Sequence, residues 1–423
     1  MTRPVVIVDP IDSGAELAPA FAARGVPAIA VRSIPGGTWD GVNEGGYAAK
    51  IHSAHFEAIY EDGPDLVETL RRHDPMAVIA GAESGVALSD RLAAVLTPQI
   101  ANVPDLSRAR RHKGAMQEAL AKSGLPVIRT LNTASPAEVM AWLKEQNLTD
   151  APLILKPATS AGSDNVHHVA PGGDWRSVFE RILASRTKLR WEPNETVIVQ
   201  EQVFGTEFAV DTVSADGEHV LAHLIRYNKT SAGDRMTVFD HTEFLPFDDA
   251  RYGALLAYVR QALDAVGIRW GAAHSEVMLT PDGPRLIEVG ARTCGGPVLG
   301  FSRVATGSSQ LERVIEAYVD REIRSRTYDF KRTVVPVFLI APLTGILRNV
   351  EELEQLRALP THLSTHMWLG NGDRVLQTVD FDTTLGIVGL AGEREAVFAD
   401  YQRVREVEAR LRIEPLESEE LRI

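Results

Sequence analysis

Residues 271–292 read GAAHSEVMLTPDGPRLIEVGAR and predict two short antiparallel strands joined by a tight turn. Side chains alternate across a strand, so residues two apart share a face. His274 therefore shares a face with Glu276, and Glu288 shares one with Arg292. Two carboxylates side by side repel each other unless a cation lies between them, and such oxygen ligands suit Mg²⁺ held against phosphates. The alternative is an exposed hairpin whose charged side chains are solvated.

The composition excludes several classes of protein. The chain has 423 residues, of which 44% are apolar and 24% charged, and this predicts a soluble protein of more than one domain. The net charge of −13 argues against a nucleic-acid or membrane-surface partner. The N-terminus lacks a signal-peptide pattern and no apolar run is long enough to span a membrane. The single Cys294 excludes an internal disulfide and a cysteine-based metal cluster, so we expect a cytoplasmic protein.

Strand and helix signals divide the chain into three parts, and the expected fold class is a multidomain combination of α/β and α+β. Residues 1–105 alternate strands and helices, which predicts a doubly wound domain with a parallel sheet. Residues 106–325 form a central domain, with a lid subdomain at about 127–205. Residues 326–423 form a C-terminal α+β unit, in which an apolar pattern predicts a strand at 376–381.

A short motif, Gly-Ala-Glu-Ser-Gly at residues 81–85, follows a predicted strand of the first domain. Ligands of open α/β sheets bind at the carboxyl ends of the strands. Ser84 is expected to cap the next helix, whose free N–H groups suit a carboxylate. Glu83 and Ser84 are therefore candidates for substrate binding, and the alternative is a plain capping turn.

Two lysines are candidates for binding phosphate. Lys156 ends an apolar strand and precedes a loop of small residues that includes Ser160, Gly162 and Ser163. Such a loop can turn several backbone N–H groups toward phosphate oxygens, and the ammonium adds a compact positive charge. Lys113 lies on a predicted helix, and the alternative for it is a solvated basic residue.

Residues 199–207 read VQEQVFGTE after a strand. A strand edge offers backbone donors and acceptors to an adenine ring, and a nearby carboxylate can bind ribose hydroxyl groups. By itself the segment is an ordinary polar turn.

The order of these features resembles the ATP-grasp superfamily. A lysine on a helix comes first, then a lysine before a small-residue loop, the pattern Glu-x-x-x-Gly-x-Glu, Glu276, and finally Glu-x-Gly-x-Arg on paired strands. The resemblance covers residues 105–320, and the preceding α/β part matches the usual leading domain. Within the superfamily the chain is most similar to the L-amino-acid ligases, including the bacilysin-synthetase and carnosine-synthase types. The resemblance implies an ATP-grasp fold.

The resemblance also implies a role for each residue of the motifs. ATP is expected to be the cofactor together with Mg²⁺, or Mn²⁺ in its place. Many members have Asn where this chain has Gly290, so one metal ligand is missing. The implied ATP contacts are Lys113, Lys156, Ser160, Gly162, Ser163, Gln200, Glu201, Val203 and Glu207, and the implied metal ligands are Glu276 and Glu288.

The implied reaction joins a carboxylate to an amine. The carboxylate attacks the γ-phosphate of ATP, Arg292 steadies the transferring phosphoryl group, and an amine then displaces phosphate from the acyl phosphate. His274 is either the base for that amine or an orienting partner for a carboxylate. Backbone N–H groups at Gly295 and Gly296 are expected to bind the substrate carboxylate or the oxyanion. Loops at 159–165 and 228–243 are expected to close over the site.

Two other functions are compatible with the same motifs. One is a carboxylase-type ATP-grasp enzyme that uses bicarbonate, and the other is a nucleotide-binding protein without turnover. The expected partners are ATP and small-molecule carboxylate and amine substrates. Family analogy adds a homodimer.

Overall fold

A computed structural model describes residues 2–34, 55–187, 192–232 and 235–416 of the chain. The N-terminal part is a four-stranded parallel sheet in the order β3-β2-β1-β4. Its strands are β1 (Val5–Val8), β2 (Ala28–Arg32), β3 (Ala58–Glu61) and β4 (Ala77–Ala80). Its helices are α1 (Leu17–Ala22), α2 (Leu66–Arg71) and α3 (Val86–Leu96).

The sequence of β1 explains why this sheet is buried on both faces. Val5 and Ile7 pack into one apolar cluster, and Val6 and Val8 pack into another on the opposite face. A continuous apolar run is the expected pattern for a parallel strand covered on both sides. The strand order reverses between β1 and β4, so the carboxyl ends of these two strands form the crevice where such sheets bind ligands.

The lid subdomain is an antiparallel sheet in the order β5-β8-β6-β7. Helix α4 (Lys113–Lys122) precedes it, and the ring nitrogen Nδ1 of His112 caps this helix by accepting from Ala115 N–H at 3.2 Å. The strands are β5 (Thr130–Thr133), β6 (Leu153–Pro157), β7 (His167–Val169) and β8 (Val197–Glu201), and the helices are α5 (Pro136–Glu145) and α6 (Trp175–Ala184).

An eight-stranded antiparallel sheet forms the centre of the molecule, in the order β13-β12-β9-β10-β11-β14-β18-β16. Helix α7 packs on one face of it, in the same apolar cluster as residues of β12 and β13. The strands are β9 (Thr206–Ala215), β10 (Glu218–Ala232), β11 (Arg235–Leu245), β12 (Gly271–Thr280), β13 (Gly283–Gly290), β14 (Thr333–Leu339), β16 (His362–Met367) and β18 (Gly386–Gly392). The helices are α7 (Asp249–Ala265), α8 (Val298–Thr306) and α9 (Gln310–Ile315).

The C-terminal unit adds a small sheet, in the order β17-β15-β19, and a long helix. Three strands of the large sheet, β14, β16 and β18, also belong to this unit, so one sheet runs through both parts of the chain. The predicted domain limits stay a prediction. The remaining elements are β15 (Gly345–Arg348), β17 (Arg374–Val375), β19 (Arg412–Pro415) and α10 (Arg394–Glu408).

The predicted loop at 228–243 is wrong, because β10 and β11 extend through it as an antiparallel ribbon. The ribbon has register shifts between Asn228 and Lys229 and between Thr230 and Ala232. Such bulges interrupt the two-residue alternation by which a strand is recognised in sequence. Outside residues 233 and 234, which are not among the described residues, this segment is therefore a strand pair, and its closure over the site stays a prediction.

The predicted strand at 376–381 is also wrong, because the chain forms a turn there after the two residues of β17. Thr383 holds the turn: its N–H and its hydroxyl both donate to Asp380 Oδ1, at 3.0 and 2.7 Å. Local side-chain hydrogen bonds of this kind compete with strand pairing. We call residues 380–384 the Phe381 turn.

Candidate active site

Glu276 on β12 and Glu288 on β13 are direct cross-strand partners. The register shifts beside them, because Val277 pairs with Leu286 and leaves Ile287 as an extra residue in β13. Like charges opposite one another destabilise a sheet unless a cation offsets them. The facing carboxylates therefore fit a divalent cation with oxygen ligands.

Glu276 stays ionised in this environment. Burial alone would raise the pKa of its carboxyl group, but the neighbouring His274 and Lys229 outweigh that effect and lower the pKa to about 2. The His274 Nε2 atom lies 3.6 Å from Glu276 Oε1. A carboxylate held in its charged form is the state that a metal ligand requires.

His274 is fixed from behind by a buried carboxylate, Asp211. Asp211 lies 2.6 Å from His274 Nδ1 and 2.5 Å from His223 Nε2, and because a carboxylate only accepts, both imidazoles donate to it. Burial alone would lower the pKa of His274, but Asp211 raises it to about 10. Ser302 Oγ lies 2.9 Å from His223 on its other side. The arrangement orients His274 toward Glu276 and leaves it charged at neutral pH, which favours the orienting role over the base.

Cys294 lies beside the same group, since ligand atoms of Asp211, His223 and Cys294 come within 4.8 Å of one another. Burial and the adjacent Asp211 carboxylate raise the pKa of the Cys294 thiol well above its ordinary value. The hydrogen bonds from the two imidazoles already occupy Asp211. The cluster is thus a hydrogen-bonded support of His274, and a protonated thiol is a poor metal ligand or nucleophile.

Lys113 and Lys156 converge on the carboxylate pair. Lys113 Nζ donates to Glu288 Oε1 at 3.0 Å and to the Ser160 carbonyl at 2.7 Å. Lys156 is 5% exposed, and its ammonium has no hydrogen bond or ion pair within the described part of the chain. Burial, with the charge of Lys113 next, lowers the pKa of Lys156 from 10.5 to about 8. The charges of Glu288, Glu276 and Glu207 act in the opposite direction, so the ammonium lies near carboxylates, is hydrogen-bonded to none of them, and can bind a further anion.

A third lysine, Lys229 on β10, was not predicted. Its Nζ donates to Glu207 Oε1 at 2.6 Å and lies over the Phe239 ring, 4.7 Å from the centroid. Tyr227 lies on the same face, with its hydroxyl oxygen 3.4 Å from His274 Nε2. The two-residue spacing of Tyr227 and Lys229 is the signal that would have identified them, had the segment been recognised as a strand.

The loop after Lys156 has the conformation expected for small residues. Gly162 and Ser163 have left-handed backbones, with φ of +66° and +61°. Ser160 Oγ donates to the buried Asp164 at 2.6 Å, and the Ser160 carbonyl contacts Lys113. The loop is therefore tied to the lysine and carboxylate cluster, while its role in phosphate binding stays a prediction.

The predicted adenine contacts lie at the end of β8. Gln200 is buried, and its Nε2 donates to Thr130 Oγ1 at 2.8 Å. Glu201 is paired with Arg129, whose Nη2 lies 2.6 Å from Glu201 Oε2. Val203 follows the strand and is partly exposed. The side chains of Gln200 and Glu201 thus already have partners within the protein. The backbone groups at this edge remain to contact an adenine ring.

Arg292 faces Glu83 of the N-terminal part, with Nε 3.3 Å from Glu83 Oε2. That oxygen is buried and accepts no hydrogen bond within the described residues. A Cβ atom at Gly290 would lie 2.9 Å from the same oxygen and 3.2 Å from Arg292 Cζ. A side chain at 290 would therefore crowd the ends of the Glu83 and Arg292 side chains, which would have to shift to make room for it.

The loop after Arg292 is held by Asp12. The Gly296 N–H donates to both carboxylate oxygens of Asp12, at 3.1 and 3.0 Å, and a Cβ atom at Gly295 would lie 2.8 Å from Asp12 Oδ2. Burial raises the pKa of Asp12. The Gly296 N–H thus has an acceptor within the protein, and the role of Gly295 and Gly296 in substrate binding stays a prediction.

Ser84 does not cap the following helix, so that prediction is wrong. Its hydroxyl donates to Asp9 Oδ2 at 2.6 Å, and Asp9 also accepts from Ser33. The three residues follow β4, β1 and β2, so they tie together the carboxyl edge of the parallel sheet. The contribution of Glu83 and Ser84 to substrate binding stays a prediction.

Comparison with known proteins now identifies the family. A family model described as "ATP-grasp domain" matches residues 149–299 of the chain. Dapdiamide A synthase of Enterobacter agglomerans is 30% identical over 420 residues, which are 96% of this chain and 96% of that protein. The chain belongs to the ATP-grasp family. The predicted resemblance is confirmed.

Two further ATP-grasp relatives agree with this assignment. The L-arginine-specific L-amino acid ligase of Bacillus subtilis is 22% identical over 287 residues, 67% of this chain and 68% of that protein. The crystal structure of an L-amino acid ligase from Bacillus licheniformis matches with a TM-score of 0.70 at 18% identity, over 98% of this chain and 99% of that chain, and shows the same fold.

As an ATP-grasp protein, the chain is an ADP-forming carboxylate–amine ligase, and the predicted fold and enzyme class are confirmed. ATP-grasp enzymes use ATP and small-molecule substrates. No helix in the described ranges is long and apolar enough to cross a membrane. The cytoplasmic location and the homodimer stay predictions.

Proposed function

We propose that this ATP-grasp ligase activates the carboxylate of one substrate as an acyl phosphate and joins it to the amine of another, at least one of them an amino acid. The unpaired Lys156 ammonium is the observation that carries the proposal. The ammonium is buried beside Lys113 and the Glu276–Glu288 pair. Positive charge is therefore concentrated at the two lysines, and negative charge at the two carboxylates next to them. A triphosphate with a divalent cation complements both.

Nucleotide binding would change the partners of the lysines. Lys113 bridges Glu288 and the Ser160 carbonyl, and phosphate oxygens are stronger acceptors than a carbonyl for an ammonium. Lys156 gains its first partner. In this proposal Ser160, Gly162 and Ser163 offer backbone groups to the phosphates, while Gln200, Glu201 and Val203 border the adenine and Glu207 meets the ribose.

Glu276 and Glu288 would hold Mg²⁺, and Mn²⁺ fits the same oxygen donors. When bound, the ion would offset the negative charge of the phosphates. The chain's own contribution is to hold the two carboxylates facing each other: His274 keeps Glu276 ionised, and Lys113 pairs with Glu288.

In this proposal the substrate carboxylate binds next to Arg292. The guanidinium can offset the charge that develops on the transferring phosphoryl group. Asp12 and Glu83 lie beside Arg292, at the crevice between β1 and β4. These two acidic groups complement an ammonium, which favours a carboxylate substrate that also carries an amino group. An amino acid has both groups.

The test is a screen for phosphate release over pairs of amino acids with Mg·ATP, followed by mass spectrometry of the products. We expect ADP, phosphate and an amide from at least one pair, and loss of release in Lys156→Met. Lys144→Met, which changes an exposed lysine of α5, is the matched control. Release that depends on bicarbonate and no amine would favour the carboxylase alternative. Nucleotide binding without release under any pair would favour a protein without turnover.

A further inference from the structure

The Phe381 turn of the C-terminal unit faces two glycines on opposite sides of the candidate site. A Cβ atom at Gly296 would lie 3.6 Å from Phe381 Cζ, and a Cβ atom at Gly162 would lie 3.8 Å from each carboxylate oxygen of Asp382. Gly296 belongs to the loop after Arg292, and Gly162 belongs to the loop after Lys156. Consecutive residues of one turn thus approach both loops.

On the function proposed above, the acyl group would lie at this position. In the proposed reaction the loop after Lys156 contacts the phosphates and Arg292 contacts the transferring phosphoryl group. In that reaction, the carboxylate that accepts the phosphoryl group lies between these two loops. The rest of the substrate then extends toward the residues that line the space between the loops. Phe381 and Asp382 border it.

Phe381 is presented by a cluster of aromatic rings. Its ring centroid lies 5.9 Å from that of Phe338, 6.0 Å from Trp368 and 6.4 Å from Phe239. The side toward Gly296 is therefore apolar, while the side toward Gly162 is acidic. The Trp368 Nε1 atom is buried and has no acceptor among the described residues, which is unusual for a buried indole and is the kind of gap that a bound ligand fills.

The turn is rigid enough to discriminate between substrates. Thr383 Oγ1 accepts from Val379 N–H at 2.9 Å, and Thr384 Oγ1 donates to the Phe381 carbonyl at 2.7 Å. Thr378 Oγ1 donates to the Thr383 carbonyl at 2.8 Å and so links the turn to the segment that precedes it. A side chain fixed by such bonds forms a wall rather than a flexible cover.

We propose that Phe381 is a specificity-determining residue of the carboxylate subsite, and that the carboxylate substrate carries an apolar substituent which packs between Gly296 and the Phe381 ring. The proposal rests on the function proposed above. Acidic substituents are disfavoured, because they would lie against an apolar ring or next to Asp382. The substrate class is thus an apolar amino acid, or a similar carboxylic acid, as the acyl donor.

The experiment measures phosphate release with one fixed amine and a series of carboxylates, for the wild type, Phe381→Ala and Phe381→Leu. We expect the wild type to prefer apolar donors over aspartate and glutamate. Phe381→Ala should raise the KM for apolar donors about tenfold to a hundredfold and leave the KM for ATP unchanged. Phe398→Ala, in a separate aromatic cluster with His241 and Tyr401, is the control and should keep the wild-type profile.

The outcomes separate this inference from the proposed function. An active wild type whose Phe381→Ala and Phe381→Leu variants keep the same donor profile overturns the inference alone. A preference for acidic donors overturns it as well. A wild type that releases no phosphate with any pair overturns the proposed function, and the inference with it. If Phe381→Ala fails to fold, the smaller change Phe381→Leu supplies the comparison.

Discussion

Replacing Lys156 with methionine is expected to stabilise the nucleotide-free protein while abolishing its nucleotide binding. The side chain is buried, its ammonium has no partner within the described part of the chain, and its pKa falls from 10.5 to about 8. One pKa unit corresponds to about 1.4 kcal/mol, so the charged ammonium costs the folded state about 3 kcal/mol. Methionine has a similar length and carries no charge, so it removes this cost.

The pH dependence gives the effect a signature. Below pH 8 Lys156 is protonated in both the folded and the unfolded state, and the full cost applies. Between pH 8 and 10.5 the folded state releases its proton first, so the stability of the wild type rises with pH. The advantage of Lys156→Met is therefore about 3 kcal/mol at neutral pH and shrinks toward zero near pH 10.5.

The assay is urea unfolding of both proteins at a series of pH values, with calorimetric titration of an ATP analogue at neutral pH. Lys144→Met serves as the control, because Lys144 is exposed and should give no pH-dependent difference. A variant that is less stable than the wild type at neutral pH would refute the reasoning. So would a gain in unfolding free energy that does not change with pH, because packing and not charge would then explain it.

Three other substitutions test the remaining parts of the site. Gly290→Asn should lower kcat/KM by more than about tenfold, because its Cβ meets Glu83 and Arg292; unchanged steady-state kinetics would show that the space is available. Lys229→Met should raise the KM for ATP about tenfold by leaving the buried Glu207 without its hydrogen-bond partner, and an unaltered KM in initial-rate measurements would remove Lys229 from the site. His274→Gln should raise the Mg²⁺ concentration required for half-maximal rate about tenfold to a hundredfold, whereas a base would instead lose kcat and one pKa of the pH–rate profile.

Local sequence patterns were sufficient to predict the hairpin of β12 and β13. Alternation over 271–292 gave the shared face, and the spacing across a short turn brought Glu276 opposite Glu288. Lys156 was a candidate because it ends a strand before a loop of small residues, whereas Lys113 was assigned through the order of motifs that resembles the family. The predictions of the hairpin and of Lys156 depend on neighbours along the chain, which is where alternation and capping act.

Long-range contacts could not be predicted in the same way. Asp211 and His223 support His274 from strands far away in sequence, and Asp12 reaches Gly296 across the interface with the N-terminal sheet. Lys229 was missed because its polar segment was read as a loop, although the alternation of β10 continues through it and the extra residue at this register shift, Asp240, is on β11. The glycine at 290 suggested a lost metal ligand, which stays a prediction, and nothing in the sequence indicated that Glu83, more than two hundred positions earlier, lies next to it.

The shared eight-stranded sheet limits how this protein can be divided. β14 covers the edge of β11, and β18 and β16 continue outward from it. Truncation before β14 would expose the backbone hydrogen-bonding groups of β11, and an uncovered strand of that length invites pairing between molecules. Exchange of the C-terminal unit between relatives, as a way to alter which acids are accepted, would therefore have to preserve the β11–β14 seam. Grafting the Phe381 turn alone keeps that seam intact and is the more conservative route.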